Sequence, residues 1–171
     1  MRSTPIFSIA IVVSWLFASP LSAAQPYGES YRAALARAML GAKISLATGL
    51  KASERLGTPV SARFEMEGDG VVVSVYAVKD ETFREIVVNG RTGDIMRMEP
   101  VAGLKLAAAR GEKSSMIGAT LRLREAVANA ERAHYGYRAV RAIPGVRAGR
   151  PVAEITLLRD SAFKTVAEDL Y

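Results

Sequence analysis

The alternation of apolar and polar residues changes its period along the first hundred positions. Apolar residues recur at helical spacing from Glu29 to Leu40 and again from Ile44 to Leu56. Gly57-Thr58-Pro59 then forms a strong stop signal. From Val60 to Glu67 apolar and polar side chains alternate strictly, which is the period of a half-buried strand. The pattern therefore predicts two helices followed by the first strand of a sheet.

Three more apolar runs follow at short intervals, at Val71 to Lys79, Phe83 to Val88 and Ile95 to Met98. They are rich in β-branched residues and separated by turn-forming clusters, which is typical of consecutive strands. The connections are too short to contain crossover helices, so neighbouring strands are predicted to pair antiparallel.

The cluster Asn89-Gly90-Arg91-Thr92-Gly93 joins the last two of these runs. A Walker-type phosphate loop needs two glycines five positions apart, followed by Lys and then Ser or Thr. The cluster has neither the spacing nor the lysine. Because Asn and Gly tolerate positive φ, it is interpreted as a hairpin turn.

The helix-then-strands pattern recurs in the second half of the chain. The matching helical segments share one offset in numbering, and the matching strand segments share a slightly larger one. The pairs are Lys79–Arg84 with Arg159–Lys164, Ile44–Leu46 with Leu121–Leu123, and Glu54-Arg55 with Glu131-Arg132. The two offsets differ by three positions. We expect this difference to lie in a hairpin loop, where the longer segment Pro144–Pro151 replaces Gly68–Gly70.

The sequence thus predicts an α+β fold made of two tandem units, each a helix plus an antiparallel sheet. Residues 25–43 form an N-terminal helix, 44–100 the first unit, 101–115 a linker and 116–171 the second unit. The linker contains Leu104–Arg110, which is itself predicted to be partly helical.

The N-terminus has the pattern of a secretory signal peptide. Arg2 is followed by the apolar run Ile6–Phe17 and by the small residues Ser22-Ala23-Ala24. We predict cleavage near Ala24, removal of residues 1–24, and a periplasmic or secreted location; the alternative is an uncleaved anchor. The absence of cysteine fits a bacterial periplasm better than a disulfide-rich secreted scaffold.

Positive charge is concentrated in the second half. The chain has 23 basic and 17 acidic side chains, and residues 101–171 hold twelve of the former and seven of the latter. The tract from Arg132 to Arg150 contains no acidic residue. Six side chains in it are predicted to contact a partner: Arg138, Arg141, Arg147, Arg150, Tyr135 and Tyr137. Guanidinium forks suit carboxylates of a protein or peptide, and the tyrosines add apolar contact area.

An equally open alternative for this tract is a basic surface that binds anionic lipid or polysaccharide, in an envelope-associated structural protein. The export signal disfavours nucleic acid as a partner. The oligomeric state is left open by the sequence.

The residue inventory argues against an enzyme. With no cysteine and one histidine, thiol catalysis and multi-histidine metal sites are excluded. His134 follows a helix beside arginine and tyrosine, which favours a capping or surface role. Glu65, Glu67 and Asp69 are the candidates for a cation site, although such acids are more typical of a solvated face. We therefore predict no catalytic residue, no metal and no cofactor.

The two units resemble the PepSY family. Its unit is an amphipathic helix, a strand pair and a strand that ends in Asp or Asn, two variable residues, Thr-Gly and an apolar residue. Asn89–Ile95 matches this closing motif, with Asn for the usual Asp. The second unit departs from it, because Asp169-Leu170-Tyr171 stops where Thr-Gly would follow, so its last strand is expected to be absent. The matching segments are 44–55, 60–67, 71–78 and 83–88, then 122–132, 152–159 and 163–169.

The resemblance implies helices lying across an antiparallel sheet, similar to the tandem repeats of the β-lactamase inhibitory protein. PepSY units also occur in propeptides of thermolysin-type metalloproteases. This implies a non-enzymatic protein-binding role, as a peptidase inhibitor or as a regulator of an envelope sensor or protease. The family has no catalytic residues to transfer to this chain, and a fold analogy alone is weak support for a function.

Overall fold

The computed structural model describes residues 28–171, so the predicted signal segment lies outside the described residues. Helix α1 (Glu29–Ala38) continues into a 3-10 turn at Met39–Gly41. Helix α2 (Leu46–Ser53) begins after Ser45, whose Oγ accepts a hydrogen bond from the Thr48 amide at 3.1 Å. This side-chain cap satisfies one of the free N–H groups of the first turn.

Seven strands and two further helices follow. Their bounds are β1 (Thr58–Glu67), β2 (Gly70–Lys79), β3 (Thr82–Asn89), β4 (Ile95–Pro100), α3 (Gly103–Ser115), α4 (Leu123–Ala133), β5 (Arg138–Arg147), β6 (Arg150–Arg159) and β7 (Ala162–Asp169). No single helix in residues 28–171 is long and apolar enough to cross a membrane. The helices Glu29–Gly41 and Leu46–Ser53 meet the length and composition criteria only when they are taken together, and they are bent by 76° relative to each other.

All strands belong to one antiparallel sheet in the order β4-β3-β2-β1-β5-β6-β7. The predicted α+β class with antiparallel pairing is therefore confirmed. The two halves of the chain meet where β1 pairs with β5, at Ala62 with Ala142 and at Arg63 with Arg141. The join makes two small sheets into one.

Helices α2 and α4 lie side by side on one face of the sheet and cover the main core. Leu46 and Leu123, at equivalent places in the two helices, are almost fully buried there, together with Phe64 of β1. Helix α3 covers part of the opposite face through Ala109, which packs near Tyr76 in a second apolar cluster.

The internal repeat predicted from the sequence is present in the backbone. The bounds of β1, β2 and β3 differ from those of β5, β6 and β7 by one constant offset in numbering. The register slips at Val60 in β1 and at Val140 in β5, which are equivalent under the same offset. The Gly90 amide donates to the Val71 carbonyl at 3.0 Å, as the Leu170 amide does to the Pro151 carbonyl at 3.1 Å.

The prediction of a long loop at Pro144–Pro151 is wrong. These residues belong to β5 and β6, which are joined by a two-residue turn at Ala148 and Gly149 with φ of 50° and 76°. Proline and glycine hid the strand pattern. Pro144 lies past the end of the β1–β5 ladder, where a strand tolerates a missing N–H. The three extra residues lie instead within 133–137, between Arg132 and the first residue of β5.

Candidate functional site

The six predicted contact residues do not form one surface. Arg138 begins β5 and Arg147 ends it. The strand between them is fully extended, which places them about 30 Å apart at roughly 3.3 Å per residue. Tyr135 and Tyr137 lie in the segment 133–137 near Arg138, so the tract is divided between opposite ends of the sheet.

The Arg138 side chain binds main-chain atoms of its own chain. Its half-buried guanidinium donates hydrogen bonds to the carbonyls of Met39 at 3.2 Å, Ala42 at 3.4 Å and Ile44 at 2.9 Å. It therefore fastens the end of the α1 segment to the start of β5. We call this contact the Arg138 junction.

The other basic residues of the tract differ in their surroundings. Arg141 is half-buried and lies opposite Arg63, and its side chain has no ion pair or hydrogen bond with any residue from 28 to 171. Arg63 is occupied by Glu65 and by the Tyr76 hydroxyl at 3.1 Å. Arg141 is thus held beside a like charge, on the sheet face that also carries α3.

The remaining residues of the tract lie at its two ends. Arg147 and Arg150 are exposed beside the β5–β6 turn, and Arg150 donates to the Tyr171 hydroxyl at 2.8 Å. Tyr135 is 95% exposed, whereas the Tyr137 ring lies 4.6 Å from the Arg159 guanidinium and 4.1 Å from the Lys164 ammonium. Tyr135, Arg147 and Arg150 therefore remain accessible to a partner, but in two separate places.

The Asn89 turn is a hairpin, as predicted. The Asn89 side-chain oxygen accepts hydrogen bonds from the Arg91 amide at 2.8 Å and the Thr92 amide at 3.1 Å, and Gly93 has a φ of 84°. Two of the amides that a phosphate would need are therefore already bound.

Glu65 and Glu67, two of the three candidate cation ligands, form ion pairs with Arg63 and Arg97 respectively. Within residues 28–171 no group of three or more His, Asp or Glu could hold a metal ion. His134 is the residue that caps α4 at its C-terminus, as the sequence suggested.

A cleft of about 750 Å³ opens where β1 begins and α4 begins, and no pattern in the sequence indicated it directly. We call it the Thr58 cleft. Its wall combines the end of α2, the first residues of β1, the end of α3 and the segment that leads into α4. The lining residues are Glu54, Gly57, Thr58, Pro59, Val60, Val78, Lys113, Met116, Ile117, Ala119, Thr120, Leu121, Arg122, Leu123 and Arg124.

The floor of the Thr58 cleft is apolar and its rim is charged. Arg124 donates from Nε to Glu54 Oε1 at 2.9 Å, and this contact raises the pKa of Arg124. A shallower groove continues from the cleft past Asp80 and Glu81. Ile117, on the rim, is 79% exposed. The arrangement can take up an apolar group and offers charges of both signs at the edge.

The Thr58 cleft and the Arg138 junction occupy equivalent places in the two units, because Thr58 and Arg138 each begin the first strand of their unit. At the start of β5 the long side chain of Arg138 fills the space against Met39–Ile44, a segment of the first half of the chain. At the start of β1 a threonine is too short to do so, and the space is open. The sequence did contain a signal for this difference. The stretches Met39–Ile44 and Met116–Leu121 are similar, whereas Arg138 in the second unit corresponds to Thr58 in the first.

A second difference between the units explains why Glu131, the counterpart of Glu54, binds a main-chain amide. The Ala139 amide, next to the irregularity in β5, donates to Glu131 Oε1 at 2.8 Å. The equivalent residue in β1 is Pro59, which has no N–H. Glu54 is therefore free to bind Arg124 instead.

Burial raises the pKa of Glu131, against the lowering effects of the Ala139 amide and Arg138. A carboxyl group with a raised pKa in the folded state binds more protons there than in the unfolded chain. Its contribution to stability is present below the unfolded pKa and is lost as pH rises through the folded one.

We expect Glu131→Gln to remove this pH dependence, because glutamine can still accept the Ala139 hydrogen bond but does not ionise. Wild type should lose stability relative to Glu131→Gln as the pH rises from about 4, near the ordinary glutamate pKa, towards neutrality. Urea unfolding at several pH values, followed by circular dichroism, measures the difference. A difference that stays constant or grows in favour of wild type over this range would contradict the assignment.

No protein-family model matches the chain, and no curated protein matches it. Among solved structures, it is similar to the crystal structure of a "putative lipoprotein" from Clostridium difficile 630. The two are 15% identical, with a TM-score of 0.41 over 69% of this chain and 80% of that one. The likeness to PepSY is a resemblance of motifs.

Proposed function

We propose that the chain is an exported, non-enzymatic module that binds a segment of a protein partner in the Thr58 cleft. The observation that carries the proposal is the cleft itself, open in one unit and closed by Arg138 at the equivalent place in the other. Export is supported by the secretory pattern of residues 1–24, and the lack of catalysis by the residue inventory.

The dimensions of the cleft suit this role. Ligand sites commonly have volumes of about 300–1,000 Å³ and combine an apolar lining with a few polar groups. Val60, Val78 and Leu123 supply apolar lining, and Ile117 leaves a large apolar side chain at the entrance. A partner segment that enters here would touch both units at once. Binding would then regulate an envelope peptidase or sensor, the class of partner that the PepSY resemblance implies.

Site-specific photo-crosslinking in the exporting bacterium tests the proposal. A photoreactive phenylalanine at Ile117 should yield a discrete adduct with one partner protein. Leu40 provides the matched control, since it is the repeat equivalent of Ile117 and is 82% exposed, but lies beside the closed junction. The Ile117 adduct should disappear when Thr58→Arg fills the cleft. Identical adducts from both positions, or an Ile117 adduct that survives Thr58→Arg, would refute a role for the cleft.

A further inference from the structure

The segments that border the two equivalent places have closely similar main-chain contacts. The Ala42 amide donates to the Met39 carbonyl at 3.2 Å, and at the equivalent place in the second unit the Ala119 amide donates to the Met116 carbonyl at 2.9 Å. These contacts fix a similar path of the chain in both units. The backbone differs at one position, because Gly118 has a φ of 82° whereas its counterpart Gly41 ends a 3-10 turn without a positive φ.

The ends of the two segments are also anchored alike. The amides of Lys43 and Ile44 donate to the Gly90 carbonyl at 2.9 and 3.2 Å. The amides of Thr120 and Leu121 donate to the Leu170 carbonyl at 2.7 and 3.0 Å. The carbonyls of Met116, Ala119 and Leu121 are thus the counterparts of the three that hold Arg138.

The carbonyls of Met116, Ala119 and Leu121 have no guanidinium of the described residues bound to them. Within residues 28–171, the carbonyls of Ala119 and Leu121 accept no hydrogen bond, and that of Met116 accepts one from Ala119. All three residues line the Thr58 cleft. Carbonyls without donors at an apolar cleft are costly if they are buried dry, so they favour a ligand or water with N–H or O–H groups.

We propose that the Thr58 cleft binds the guanidinium of an arginine side chain that the partner presents, in the position that Arg138 occupies in the other unit. This proposal deepens the proposed function and rests on it. A planar guanidinium has five N–H donors in a fixed fork, which suits several carbonyls at once. The Arg138 junction shows that this backbone arrangement accommodates one.

The charged side chains near the cleft are of both signs, so the carbonyls, and not these charges, favour an arginine ligand. Glu54 lines the cleft together with three basic residues, and the groove that leads from it is bordered by Arg55, Lys79, Asp80 and Glu81. Of the cations on the rim, Arg124 is paired with Glu54 and Lys113 with Glu81. An arginine stem would cover the apolar floor while its head reached the carbonyls. A carboxylate ligand, which Arg122 could attract at the surface, would leave those carbonyls without donors.

Titration of the isotope-labelled chain, residues 25–171, by amide NMR tests this. N-acetyl-L-argininamide should cause saturable shifts at the amides of Thr58, Ala119 and Leu121. The uncharged isostere N-acetyl-L-citrullinamide and the amides of lysine and aspartate should cause much smaller ones. Thr58→Arg should abolish the response and, by placing its own guanidinium in the cleft, raise the melting temperature.

Arg138→Ala provides the reference for sensitivity, since it opens a junction that fits a guanidinium. Millimolar guanidinium chloride should perturb the amides of Met39 to Ile44 in this variant and raise its melting temperature. If it does, while arginine amide leaves the Thr58 cleft unchanged or acts equally in Thr58→Arg, the assignment is wrong. Equal responses to the lysine or citrulline amide would also overturn it. If Arg138→Ala is too unstable, Arg138→Thr gives the same comparison, because it reproduces the residue found at the equivalent place in the other unit.

The two proposals can fail separately. If the arginine response is absent, but the Ile117 crosslink forms and is abolished by Thr58→Arg, then partner binding in the cleft is retained. Only the assignment of a guanidinium ligand then fails. A positive arginine response without any crosslink would show a site whose natural occupant is not a protein of the envelope.

Discussion

Replacing Gly90 by alanine is expected to lower the free energy of unfolding by about 3 kcal/mol, through steric conflict with the neighbouring strand. A Cβ at this position would overlap the Val71 carbonyl oxygen and lie 2.9 Å from Val71 Cγ2. The obstacle is backbone, so a rotamer change cannot relieve it. The Gly90 carbonyl also accepts the amides of Lys43 and Ile44, and any shift of Gly90 would weaken those bonds.

Urea unfolding of the Gly90→Ala variant measures this loss. Gly111→Ala is the matched control, because Gly111 lies inside α3 with no atom within 4 Å of a new Cβ. There alanine should stabilise the protein by about 0.5–1 kcal/mol, through helix propensity. A Gly90→Ala protein as stable as wild type would contradict this prediction. It would show that the packing of Gly90 against Val71 and against the segment before α2 is looser than its geometry indicates.

Gly49→Ala and Val73→Ala are each expected to destabilise the protein, yet together by less than the sum of their separate effects. A Cβ on Gly49 would lie 2.7 Å from Val73 Cγ1, so α2 approaches β2 too closely for alanine. The equivalent pair in the second unit is Ala126 with Ala153, both fully buried. The two units thus fill a similar volume with different pairs of side chains, Gly49 with Val73 in the first unit and Ala126 with Ala153 in the second.

We expect Gly49→Ala to cost about 1–2 kcal/mol, since overpacking outweighs the gain in helix propensity, and Val73→Ala about 2 kcal/mol through lost burial. The double variant should recover at least about 1 kcal/mol relative to additivity. A double-mutant cycle by chemical denaturation measures this coupling. Gly111→Ala combined with Val73→Ala supplies the control pair, which should be additive. Strict additivity of Gly49→Ala with Val73→Ala would mean that the helix moves away from the sheet.

Much of the fold was accessible from the sequence because side-chain periodicity responds to burial. The alternation in Val60–Glu67 and the short connections predicted the hairpins and their antiparallel pairing. The joining of β1 to β5 was not predicted, since it depends on which edges meet and not on a local pattern. The β5–β6 hairpin was misread because Pro144 and Gly145 are turn-forming residues in most contexts.

The site was less accessible, because charge density does not say where a side chain points. Arg138 looked like part of a binding tract, yet it serves as an internal fastener, and Tyr137 is held between Arg159 and Lys164. The Thr58 cleft arises from three segments distant in sequence. Only a comparison of the two repeats could have indicated it, through the exchange of Arg138 for Thr58.

The narrow join between β1 and β5 has a mechanical consequence. Hairpin neighbours are paired along most of their length, whereas these two strands are registered at Ala62 with Ala142 and at Arg63 with Arg141. Tension applied across the midline would therefore meet few main-chain bonds between the strands. Its load would pass to the Arg138 junction and to the contact between α2 and α4, which includes the Glu54–Arg124 ion pair. The molecule should yield there first, parting into halves that each keep their own hairpins intact.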